Sequence, residues 1–207
     1  MKTLFRSSII ILLSLITTNV MAQKKVKTLS LSKVIDFPAQ KLWQIVGEDY
    51  GSVAYSHPRI IDSDYVNGSL KAEEGAERVC YFNDSHSQFL KEKIVNYNPE
   101  EMSFTNQVFQ AGKFPVDPEY TKGVYRIEDL GNGQSKMHFD MQFRTKPAIM
   151  GALMKGSFKK LIEDYFIALE YHIKTGEKVT KENFKSIKKK VESGILNKSV
   201  ENTSAKK

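Results

Sequence analysis

The chain has 207 residues but only one cysteine, one tryptophan and six prolines. A single thiol excludes an intrachain disulfide. Cys80 lies in Arg78-Val79-Cys80-Tyr81-Phe82, a strand-like run in which it reads as a small buried hydrophobe and not as a reactive thiol. Beyond residue 22 no apolar run is long enough to span a bilayer. The four histidines, His57, His86, His138 and His172, form no His-x-x-x-His or His-Glu-x-x-His pair, and zinc needs at least three converging ligands, so no metal site is expected. A Gly-x-Ser-x-Gly nucleophile elbow is missing too. No glycine-rich loop joins a strand to a helix, which argues against a nucleotide cofactor; no cofactor and no catalytic residue is expected.

Charge is also scarce where it first looks abundant. The net charge is +7, but residues 177–207 hold nine lysines and four glutamates, a net +5, and residues 1–22 carry +2. Residues 23–176 are therefore close to neutral. The first 22 residues have the form of a secretory signal peptide: Lys2 and Arg6, an apolar core over 9–16, then Val20-Met21-Ala22 before Gln23. The expectation is an exported protein, periplasmic or secreted after cleavage near Ala22, and export argues against nucleic acid as a partner. Residues 23–176 are long enough for one domain with its own core, and 177–207 read as a basic tail, disordered or amphipathic. Phe184, Ile187, Val191 and Ile195 are spaced for one helical face among lysines, which would suit an anionic membrane surface.

Within 23–176 the pattern predicts a strand over 25–36, a short helix opened by Pro38 with Trp43 at the core edge, and an irregular stretch ending at His57-Pro58. Strands follow over 59–65, 77–82, 88–97, 101–110, 123–130 and 135–145, separated by turn residues such as Asn67-Gly68 and Gly131-Asn132-Gly133. The last strand alternates cleanly: Met137, Phe139, Met141 and Phe143 against Lys136, His138, Asp140 and Gln142. A long helix is expected over 147–174, with Pro147 at its first position and Gly176 as a left-handed cap. Its apolar stripe is Met150, Met154, Phe158, Leu161, Tyr165, Leu169 and His172, an arc of about 100°. Short turns imply antiparallel neighbours. The fold class is α+β: a curved antiparallel sheet of about seven strands wrapped around one long C-terminal helix.

This order of elements resembles the START-like helix-grip superfamily (SRPBCC), and within it the polyketide cyclase/dehydrase and lipid-transport branch. The resemblance is carried by Val34-Ile35-Asp36-Phe37-Pro38-Ala39-Gln40-Lys41-Leu42-Trp43, by Lys91-Glu92-Lys93-Ile94-Val95-Asn96-Tyr97-Asn98-Pro99, by the hairpin from Gly123 to Met137, and by the long helix. It covers about residues 26–175. It implies an apolar cavity between sheet and helix that binds a hydrophobic small molecule or lipid. The alternative it implies is a cyclase- or dehydratase-like enzyme acting in the same cavity. The superfamily has no shared catalytic motif to carry over, and Tyr55-Ser56-His57-Pro58 stands where relatives often have a tryptophan before the proline.

The candidate ligand-binding residues are Tyr55, His57, Arg78, Phe104, Tyr125, Phe139, Met141, Phe143, Met154 and Phe158. The rings and methionines are core in any reading, and some would also line the cavity. His57 is either an exposed loop histidine or a polar group at the cavity mouth, where acid–base work would need an orienting partner. Arg78 either holds an acidic headgroup or points outward in a cross-strand ion pair.

Overall fold

The computed structural model describes residues 26–194; the signal peptide expected over 1–22 and Ile195 of the basic tail lie outside them. The strands are β1 (Lys27–Ile35), β2 (Asp62–Tyr65), β3 (Glu77–Tyr81), β4 (Phe89–Asn98), β5 (Ser103–Ala111), β6 (Lys122–Gly131) and β7 (Gln134–Phe143). They form one seven-stranded open sheet in the order β1-β7-β6-β5-β4-β3-β2, every pairing antiparallel. The only long jump in that order joins the first strand to the last, with Leu29 opposite Met141 and Leu31 opposite Phe139. The alternation of β7 comes out as read: Met137, Phe139 and Phe143 are buried and Asp140 is exposed. In the β6–β7 turn Gly131, Asn132 and Gly133 all take positive φ, a conformation that costs glycine nothing.

Between β1 and β2 lie helix α1 (Ala39–Trp43), a π turn (Gln44–Glu48) and a 3-10 stretch (Tyr50–Tyr55). Trp43 is not at the core edge. It is 1% exposed and packs against Tyr97 and Phe104 at ring distances of 5.7 and 6.1 Å. Gly47 permits this, because a Cβ there would stand 2.4 Å from the indole.

The long helix, α2, runs over Gly151–Thr175 and ends on Gly176 at φ 73°, whose N–H donates to the His172 carbonyl at 2.7 Å. This is the left-handed cap expected from the sequence. Its start differs. Pro147 is extended and a 3-10 turn (Ala148–Met150) intervenes, so the α-helix begins four residues late. The buried face also differs. Phe158, Ile162, Tyr165, Phe166, Leu169 and Ile173 are buried, whereas Met150 is 37% exposed. The expected stripe continued past the edge of the surface that the helix covers.

The packed unit does not stop at Gly176. Helix α3 (Phe184–Glu192) lies against the back of α2. Ala168 and Tyr171 of α2 form a second small core with Val179 and Ile187. Lys188 pairs with Asp164 at 2.9 Å, and the Val179 N–H donates to the Tyr55 carbonyl at 2.9 Å. The apolar spacing of Phe184, Ile187 and Val191 is that of a helix, but α2 already covers the face they form. Truncating Ile187, which is 2% exposed, should cost about 2–4 kcal/mol. Ile187→Ala is therefore expected to lower the urea midpoint clearly, whereas an unchanged midpoint would show that α3 is undocked in solution.

Candidate functional site

The α2 helix lies closest to β1, while the 3-10 stretch after α1 covers β2 and β3. Helix α1 packs on β6 and β7, and among these three covers a cavity remains that side chains line. Its inner chamber is about 110 Å³. The sheet contributes Arg78 and Cys80 from β3, Leu90 and Glu92 from β4, Tyr125 from β6, and Phe139 and Met141 from β7; α2 contributes Phe158, Leu161, Ile162 and Tyr165; His57 and Ile60 come from the loop before β2. An outer chamber of about 340 Å³ is lined by Arg59, Gln88, Met154, Ser157, Lys160 and Asp164. Phe82, Phe114, Phe158 and Leu161 line both chambers and stand between them. The rings of Phe82 and Phe114 stand 4.6 Å apart there, and those of Phe114 and Phe158 6.5 Å apart.

One wall of the inner chamber is polar. Arg78 and Glu92 face each other across β3 and β4, and the Arg78 Nε donates to Glu92 Oε2 at 2.8 Å. Both are buried, at 4% and 9% exposure. Arg78 also donates through Nη1 to the Tyr50 carbonyl at 2.7 Å and lies over the Tyr50 ring at 3.9 Å. Tyr50 is held in turn by its hydroxyl, which donates to Asn106 Oδ1 at 2.6 Å. Arg78 is thus in a cross-strand ion pair, as one sequence reading had it, but it points inward. Cys80 completes the wall, its Sγ 3.6 Å from the same Glu92 oxygen. Burial pushes that thiol far above its ordinary pKa, so it is not a nucleophile at neutral pH.

His57 is not a solvent-exposed loop residue. It is 8% exposed and stacks on Tyr165 at 5.1 Å. Its Nδ1 accepts the backbone N–H groups of Arg59 and Ile60 at 3.1 and 3.2 Å. The neutral ring therefore carries its proton on Nε2 and offers a ligand a donor, not an acceptor. Burial, then the charges of Arg78 and Arg59, lower its pKa to about 3. A group so held is a poor general base at neutral pH. Tyr165 beside it stays a phenol, with burial pushing its pKa up to about 12.

Of the ten residues expected from the sequence, His57, Arg78, Tyr125, Phe139, Met141 and Phe158 line the inner chamber and Met154 the outer one. Three fall elsewhere. Tyr55 is 53% exposed and sits on the outside of the loop, against His172 and Lys178. Phe104 is core between Trp43, Tyr50 and Tyr125, and Phe143 is core against Phe158 at 4.7 Å. Residues that the sequence reading missed include Glu92, Tyr165, Leu161 and Phe114. Glu92 left a signal: it holds the same phase of β4 as Leu90 and Ile94, where an unpaired charge would be costly. Among the described residues, no three His, Cys, Asp or Glu side chains gather as metal ligands.

No protein-family model matches the sequence, and no curated protein matches it either. Solved structures share the architecture. An uncharacterised protein from Bacillus thuringiensis superposes with a TM-score of 0.55 at 18% identity, over 71% of this chain and 98% of that one. A protein from Thermobifida fusca gives 0.58 at 19% identity, over 70% and 92%. The protein XoxI from Bacillus cereus gives 0.53 at 19% identity, over 69% and 92%. At such identities the likeness is one of fold. A seven-stranded antiparallel sheet with a long C-terminal helix is compatible with the helix-grip arrangement.

The polar wall yields two expectations. Arg78→Met leaves Glu92 buried without its partner and should cost about 3–5 kcal/mol, while Arg78→Met/Glu92→Leu recovers most of the loss; urea unfolding of the two variants distinguishes them. For His57, the unfolded chain binds a proton near pH 6.5 and the folded chain only near pH 3. Stability from this group is therefore present above pH 6.5 and drains away as pH falls through that window, by up to about 1.4 kcal/mol per pH unit. His57→Asn keeps an acceptor for the two N–H groups but cannot titrate. Its unfolding free energy should fall less steeply than the wild type's between pH 7 and pH 4, and parallel curves would contradict the assignment.

Proposed function

We propose that this is an exported START-like protein that holds a hydrophobic small molecule or lipid in the paired chambers between sheet and α2. The observation that carries the reading is the cavity itself: mostly apolar walls drawn from four strands and the long helix, with a few polar groups among them. Such a lining matches how small-molecule sites are built, mostly apolar with a few placed hydrogen-bonding groups. The resemblance of the β1–α1 and β4 motifs to the superfamily supports the same reading, as does the apolar leader over 9–16 for export. The inner chamber is of the order of one small ring, since a cavity of roughly 150 Å³ takes up benzene. A larger guest would have to part the phenylalanines between the chambers to reach the outer one. Arg78, His57 and Glu92 together offer donors and an acceptor to an oxygen on the guest.

The alternative, a cyclase- or dehydratase-like enzyme, needs an acid–base group in the cavity. His57 has its acceptor nitrogen engaged by the backbone, so binding without catalysis is the better-supported reading.

Native mass spectrometry of the protein recovered from its export host, followed by organic extraction, tests the proposal. The expected spectrum shows a chain beginning at Gln23 with a hydrophobic guest bound or titratable. Leu161→Trp, which places an indole between the two chambers, should weaken that binding about tenfold or more while the fold persists. A chain that carries no guest and takes up none from a panel of lipids and aromatic hydrophobes would overturn the reading.

A further inference from the structure

The 3-10 turn before α2 and the first turn of the helix carry the most exposed cluster of large apolar side chains among the described residues. Ile149 is 86% exposed, Leu153 79% and Met150 37%. Lone exposed apolar residues are ordinary, and Val34, Leu70 and Leu130 are of that kind. Ile149 and Leu153 differ, because they stand about one turn apart and project from one end of a helix.

The charges carried by the segment itself are of one sign. From residue 146 to residue 160 the sequence holds Lys146, Lys155, Lys159 and Lys160 and no acidic residue. The side chains of Lys146, Lys159 and Lys160 are 63%, 54% and 72% exposed, and Lys155 is exposed too. Their acidic contacts lie to either side of the segment: Asp117 for Lys146, Glu163 for Lys159 and Asp164 for Lys160. The amino-terminal end of α2 adds the partial positive charge of the helix dipole at the same place. The patch borders the outer chamber, which Met154, Ser157 and Lys160 line.

We propose that this end of α2 docks on an anionic lipid surface, with Ile149 and Leu153 entering the acyl boundary and the four lysines meeting the headgroups. Lysine around protruding apolar residues suits a bilayer interface, whereas the cores of protein interfaces are depleted in lysine. The basic helix α3, where the sequence first suggested membrane contact, is the weaker candidate, since Ile187 on its apolar face is spent against α2. The inference does not depend on what fills the cavity.

The test uses the chain from Gln23 onward, which contains every described residue, in flotation with two kinds of vesicle: phosphatidylcholine alone, and phosphatidylcholine mixed with phosphatidylglycerol. Binding to the mixed vesicles is expected, weakened by added salt. Ile149→Asp/Leu153→Asp should reduce it by about tenfold or more, with Ile149→Ser/Leu153→Ser in reserve should the acidic pair fail to fold. Leu70→Ser, at an isolated site 88% exposed, should bind as the wild type does. Failure of the wild type to float, equal flotation of the double variant, or an equal loss in Leu70→Ser would each overturn the proposal. So would a dimer that the double variant abolishes in the absence of vesicle binding, because the patch would then belong to a second copy of the chain.

Discussion

A helix about 10 Å across cannot cover the face of a sheet seven strands wide, which at ~4.8 Å per strand spans roughly 30 Å. Everything else in the molecule answers that mismatch. The helix α2 settles near β1, α1 packs on β6 and β7, and the 3-10 stretch takes the β2–β3 end. What none of them reaches must be filled by long side chains or left open. Aromatic residues fill part of it, with Phe104, Tyr125 and Phe139 in consecutive ring contact. The rest is the cavity. Its position follows from geometry before any question of ligand arises.

The Arg78–Glu92 pair is the local counterpart of that constraint. A buried ion pair costs more desolvation than it returns unless it is well hydrogen-bonded. Here the guanidinium has a carboxylate, a carbonyl and a ring face around it, and Asn106 holds Tyr50, the source of the last two, in place. This polar cluster lies where a continuous apolar core would otherwise form. It keeps one wall of the chamber from being sealed by hydrophobic contact alone.

Much of the fold was legible because its signals are local. Strand β7 announces itself by alternation, the β6–β7 turn by its glycines, and the end of α2 by Gly176. The start of α2 was not legible, because Pro147 suits both a first helical position and the extended residue before a 3-10 turn. The helix stripe misled for a related reason: Met150 and Leu169 share a periodicity, but only one of them lies over the sheet. Site residues were legible where parity decides facing, as for Phe139 and Met141. They were not where partners come from afar. The inward turn of Arg78 depends on the register that sets Glu92 opposite it, fourteen residues on. The burial of His57 depends on Tyr165, more than a hundred positions away. The docking of the C-terminal segment depends on Ala168 and Tyr171, which look like ordinary positions outside the stripe.

The lone cysteine has a consequence of another kind. Cys80 is 1% exposed, forms part of the chamber wall and, as a buried neutral thiol, does not react where it sits. With no second thiol in the chain, any alkylation must occur while the wall is open. Its rate is then the rate for a free thiol scaled by the fraction of time the chamber spends open, provided that closing outpaces the reagent. The molecule thus carries a built-in clock for opening of the cover over β3, where Cys80 packs against Ala54 and Ile60, and a guest that holds the chamber shut would slow it.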